Sequence, residues 1–122
     1  MVDQGTAGIE RSMADMLLAQ VAEAGEKFRA EMETMAADLS RLSGELGALE
    51  RELEAIEKEP GDHRKEVEEI EKKINERQAA IDRISDEMKA RNLVYEAQIK
   101  LLTELLAGWN KIVKNAADKI GR

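Results

Sequence analysis

The sequence predicts an all-α fold: an antiparallel hairpin of two long coiled-coil helices, joined by a Pro-Gly turn and built to associate with other chains. Three observations predict it. The only proline, Pro60, followed by Gly61, divides the 122 residues into two halves. Each half carries Leu, Ile, Val or Met at alternating spacings of three and four, the signature of a helix with one buried stripe. Charged residues make up 37% of the chain and aromatics 2%. A globular core would use more large aromatic side chains, because each buries so much apolar area, whereas a regular Ala-Glu-Lys-Leu-Arg composition marks long helices.

The N-terminal segment, residues 1–11, contains Asp3, Gln4, Gly5, Thr6 and Gly8 without periodicity, and is expected to be a flexible lead-in. Ser12 can cap the first helix, with Asp15 adding negative charge to its first turn, although a start nearer Ile9 fits as well. The first helix is expected over 12–58. Its heptad positions are Leu18, Val21, Phe28, Met32, Met35, Leu39, Leu42, Leu46, Leu49, Leu53 and Ile56, with Gly25 the one gap. Gly25, Gly44 and Gly47 each weaken a helix by about 1 kcal/mol relative to alanine. They read either as tolerated weak spots or as places where a neighbouring helix comes close.

Residues 59–62 form the expected turn. Pro60 pushes Glu59 out of helical geometry, Gly61 accepts backbone angles closed to other residues, and Asp62 can cap the helix that follows. Two helices joined this tightly fold back on each other; a Pro-Gly pair is too strong a break for a merely kinked helix. The second helix, expected over 63–120, places Val67, Ile70, Ile74, Ile81, Ile84, Met88, Tyr95, Leu102, Leu105, Trp109, Ile112 and Ala116 on its seam. Arg77, Arg91 and Gln98 fall on the same seam, where polar groups either set register or snorkel to water.

The character of this helix changes after Asn92. Apolar residues now lie around most of its circumference, which implies burial on more than one side. The arms are about 70 Å and about 87 Å long, so pairing about the turn lays this stretch beside the lead-in, the part of the chain least able to cover it. Residues 93–120 are therefore the expected assembly segment, with Leu93, Ile99, Leu101, Leu102, Leu105, Leu106, Trp109, Ile112 and Val113 as contact residues. Packing by other subunits is preferred over the N-terminus folding across it.

Several function classes are disfavoured. A net charge of −7 argues against non-specific nucleic-acid binding and attraction to anionic lipid. Glu96, Glu104 and Asp118 argue the same way for the C-terminal stretch. Without cysteine there is no disulfide, thiol nucleophile or thiolate metal site. No charged-then-apolar leader opens the chain, so no cleaved secretory signal is expected, and Ile99–Val113 is too short and too polar to span a bilayer. His63 stands alone near the turn, and Glu66, Glu68, Glu69 and Glu71 read as a solvated helix start. Gly44-x-x-Gly47 has no preceding strand and no Lys-Ser/Thr pair, so it is not a phosphate loop. Trp109 and the methionines read as packing residues. No catalytic, cofactor or metal residue is expected, and the chain is read as a non-enzyme.

Glu59-Pro60-Gly61-Asp62, Asn92-Leu93-x-x-x-Ala97-Gln98 and the closing Ile120-Gly121-Arg122 resemble pieces of the needle and filament subunits of bacterial type III secretion systems. Those subunits are small, cysteine-free helical hairpins with a proline-containing turn. The resemblance implies self-assembly through a C-terminal helix that lines a central channel, export without a cleaved signal, a secretion chaperone as partner before assembly, and a secreted or cell-surface location. Arms this long would project outside a needle-like core or belong to a sheath filament. The function expected is a structural subunit that self-assembles through its apolar C-terminal helix, in the form of such a needle or filament. The alternative is a cytoplasmic coiled-coil adaptor or chaperone-like protein, a small oligomer binding one partner through the same surface. An extended dimer whose hairpin opens and pairs between chains is a further arrangement of the same helices.

Overall fold

The computed structural model describes residues 2–120, with side chains from Ser12 onward. Two α-helices account for almost all of them, α1 over Val2–Lys58 and α2 over Arg64–Ile120. They pack against each other as an antiparallel helical hairpin. The helix starts at Val2, ten residues before the start expected at Ser12. Once a helix exists, each residue added to its end gains a hydrogen bond at little further entropic cost. Ala7, Ile9, Glu10 and Arg11 suit that extension enough to offset Gly5 and Gly8. Met1, Gly121 and Arg122 lie outside the described residues. So do the side chains of 2–11, on which the idea of the N-terminus covering the end of α2 depends.

The turn is built from the expected residues. The Glu59 amide donates to the Ile56 carbonyl at 3.1 Å, closing α1 with a tighter last turn. Gly61 has φ +116°, a conformation that a side chain would strain. Asp62 Oδ1 accepts from the Arg64 amide and from Arg64 Nε, both at 3.2 Å, so it satisfies the first free amide of α2 from one residue before the N-cap position. The Val67 amide donates to the His63 carbonyl at 2.9 Å. His63 is thus the boundary residue, and α2 begins one residue later than expected.

The chain divides into two compact units. The first, Ala30–Ala90, holds the turn and the arms beside it. Met35, Leu42 and Ile70 are buried there, and Met32, Leu39, Leu46, Leu49, Leu53, Ile56, Val67, Ile74, Ile81, Ile84 and Met88 are half-buried. This is the heptad seam that the spacing predicts. Arg77 is half-buried on it, and its Nε donates to Glu45 Oε2 of the opposite helix at 3.0 Å. The long side chain leaves the seam for its edge and meets a carboxylate that Arg41 also holds at 3.2 Å. A pair this accessible contributes about 0–1 kcal/mol.

The second unit comprises Met1–Arg29 and Arg91–Arg122. Here the rings of Phe28 and Tyr95 stack with centroids 4.2 Å apart and planes 5° from parallel. The Tyr95 hydroxyl lies 3.4 Å from where a Cβ on Gly25 would stand. Gly25 therefore marks a close approach, whereas Gly44 and Gly47 face nothing within 4 Å and are tolerated weak spots. Among the described residues of this unit, Leu17 and Leu102 are buried.

The seam changes phase here. Covered positions in α1 are Phe28, Ala24 and Gly25, Val21, Leu17, and Met13 and Ala14; in α2 they are Tyr95, Ile99, Leu102, Leu106, Trp109 and Val113. The positions expected from an unbroken heptad, Leu18, Arg91, Gln98, Leu105, Ile112 and Ala116, are exposed. Each helix makes one extra step of four, from Val21 back to Leu17 and from Tyr95 on to Ile99, the insertion that locally unwinds a left-handed supercoil. The physical reason lies in the residues exchanged. The step replaces Gln98 by Ile99 on the seam, and Leu105 and Ile112 by the equally apolar Leu106 and Val113.

Candidate assembly surface

The nine expected contact residues separate into two sets. Leu102 is buried, and Ile99, Leu106, Trp109 and Val113 are half-buried on the side of α2 that faces α1. These five hold the hairpin itself. Leu93, Leu101, Leu105 and Ile112 are exposed and remain free to meet another molecule. Val94, Met16, Leu18 and Ile120 join them as large apolar residues in solvent, with exposures in the whole group from 50% at Met16 to 68% at Val94 and Ile120.

Helical phase sorts the exposed residues further. Val94, Gln98, Leu101, Leu105, Gly108 and Ile112 follow one another at steps of four, three, four, three and four. That is a second heptad stripe, turned about 100° around α2 from the stripe that packs on α1. Gly108 interrupts it with open space where its Cβ would be. Leu93 points away from both stripes. On α1, Met16 lies on the same side of the hairpin as the second stripe, and Leu18 on the other. Val94 and Met16, on the side of the second stripe, are not among the nine expected contact residues. The signal for Val94 was its spacing of seven from Leu101. Met16 is placed only by the shift that buries Leu17.

Charges at the edges of the second stripe are sparse and of both signs: Glu104 and Lys111 flank it on the side away from α1, one heptad apart. The indole nitrogen of Trp109 is buried without a hydrogen-bond partner among the described residues, a desolvation cost that only a well-packed ring offsets. Asn92, Leu93, Ala97 and Gln98, the residues of the family resemblance in α2, are all exposed, and Asn92 Nδ2 donates to Glu96 Oε1 at 3.3 Å within the helix.

At the turn, His63 Nε2 donates to the Pro60 carbonyl at 3.2 Å, with Glu59 and Glu66 carboxylates 3.9 and 3.7 Å from its ring nitrogens. Pro60, Gly61 and Asp62 serve the chain reversal. Among the described residues no group of three or more His, Asp or Glu side chains is placed to hold a metal ion, and no helix is long and apolar enough to cross a membrane. No protein-family model matches the chain, and neither the curated proteins nor the solved structures contain a match to it.

Proposed function

We propose that this chain is a non-enzymatic structural subunit that assembles with copies of itself through the C-terminal stretch of α2. One observation carries the reading. Among the described residues, the large apolar side chains that stand half or more in solvent, Met16, Leu18, Leu93, Val94, Leu101, Leu105, Ile112 and Ile120, belong to the unit that holds both chain ends, and none to the unit at the turn. Scattered apolar exposure needs no explanation, but a concentration of it on one unit marks an interaction surface.

The form of the assembly depends on how neighbours are oriented. Copies stacked in one direction give a needle or sheath filament of the type III secretion kind, on the cell surface, with a chaperone holding the subunit beforehand. Copies related by a two-fold axis give a closed oligomer, the arrangement of a cytoplasmic adaptor. Negative-stain electron microscopy and light scattering over a concentration series separate the two. Uniform filaments identify the first form and discrete particles the second. In either form, Leu101→Asp with Leu105→Asp is expected to abolish assembly and leave the far-ultraviolet helical signal in place, because both side chains are exposed on the hairpin. A double variant that assembles like the wild type refutes the surface.

A further inference from the structure

The second stripe of α2 is complementary to itself, and from this we infer that its occupant is the same stripe of a second copy, running antiparallel about a two-fold axis between Leu105 and Gly108. The inference rests on self-assembly through α2 and adds the partner's orientation and register.

Shape gives the first argument. With Leu105 of one copy set against Gly108 of the other, Leu101 meets Ile112, and the symmetry repeats both contacts. The large residue fills the open space over Gly108, where no atom lies within 4 Å of a Cβ position. Gln98 then meets Asn115 at each end of the apolar stretch, so that polar residues close it.

Charge gives the second. In an antiparallel pair the same edge of each helix faces the other. The register that sets Leu105 on Gly108 brings Glu104 beside Lys111 of the second copy, twice by symmetry. Sliding one heptad to set Leu105 on Leu101 would bring Glu104 against Glu104, a like-charge contact that disfavours that alternative.

The third argument comes from α1. The second stripe is turned about 100° from the hairpin seam, close to the right angle at which a helix in a four-helix bundle meets its two neighbours. Pairing α2 with α2 therefore sets the two α1 helices side by side. Counting antiparallel from the Phe28–Tyr95 stack places Met16 level with Ala107, at the height of the two-fold axis. Met16, half exposed in the single hairpin, then meets its own symmetry mate. Leu93 lies on the far side of α2 and takes no part.

Cysteine cross-linking tests the orientation without interference, because the chain has no cysteine of its own. Ala97→Cys and Asp118→Cys variants are prepared separately and treated with a short bismaleimide linker, alone and mixed, with circular dichroism as the check on folding. The antiparallel register sets residue 97 of one copy beside residue 118 of the other, while each residue lies about 30 Å or more from its own mate along the axis. Cross-linking is expected in the mixture and not in either variant alone. In sedimentation equilibrium, Glu104→Lys or Lys111→Glu is expected to weaken the dimer about tenfold, and the double reversal to restore it. Cross-links within each single variant, or a double reversal no better than its parents, would overturn the two-fold register and leave self-assembly standing. A chain that stays monomeric at every concentration would overturn both.

Discussion

Gly25, Gly44 and Gly47 interrupt α1, but only Gly25 faces another side chain, the Tyr95 hydroxyl 3.4 Å from its missing Cβ. Contact at that distance is ordinary van der Waals packing, so alanine fits at Gly25, whereas a branched side chain would push the ring of Tyr95 off Phe28. Gly44 and Gly47 have no such neighbour, and their cost is that of unfavourable backbone entropy alone. Alanine at both positions is expected to raise stability by about 1 kcal/mol each, read as a shift of the urea midpoint at unchanged slope. The opposite sign is expected at the turn. With φ at +116°, Gly61→Ala should lower stability by about 1–2 kcal/mol through backbone strain. A loss at Gly44 or Gly47 would mean that a helix approaches them in solution.

At the scale of the helix, the phase of the seam is the controlling feature. An α-helix turns through 3.6 residues and a heptad through 3.5, so a long helix drifts out of a strict seven-residue repeat unless it supercoils or inserts a step. Near residues 17–28 and 88–99 the chain takes the step. Two adjacent leucines measure it: Leu17 is buried and Leu18 is half in solvent. Leu17→Ala is expected to cost about 2–3 kcal/mol, as a core truncation does, and Leu18→Ala to stay within about 0.5 kcal/mol of wild type. Denaturant unfolding of the two variants side by side checks it. Equal losses would restore the unbroken heptad.

At the scale of the molecule, the unit at the turn satisfies its own apolar stripe, and the unit with the chain ends does not. Folding of the hairpin and binding of a second copy are then linked, because anything that binds the native state raises its apparent stability. The thermal midpoint is expected to rise by about 5 °C for each hundredfold increase in protein concentration if the unit is a dimer. In Leu101→Asp with Leu105→Asp it is expected to be independent of concentration. A wild-type midpoint that does not move with concentration would place the exposed stripe outside any folded assembly.

The hairpin, its turn and the seam from Met32 to Met88 were legible in the sequence, because each rests on local chemistry: the fixed angles of proline, the freedom of glycine, and apolar residues at a period that only one helix face can satisfy. The surplus of apolar residues after Asn92 was legible as well. Which of them belong to the hairpin and which are left over was not. Leu105 and Leu106, or Ile112 and Val113, are neighbours of nearly equal hydrophobicity, and a rotation of α2 by one residue exchanges their places at almost no cost in buried area. Only the packing of α1 against α2, with Phe28 on Tyr95, Leu17 and Leu102 buried and Gln98 turned outward, selects the face that is covered and, by the same choice, the stripe that remains.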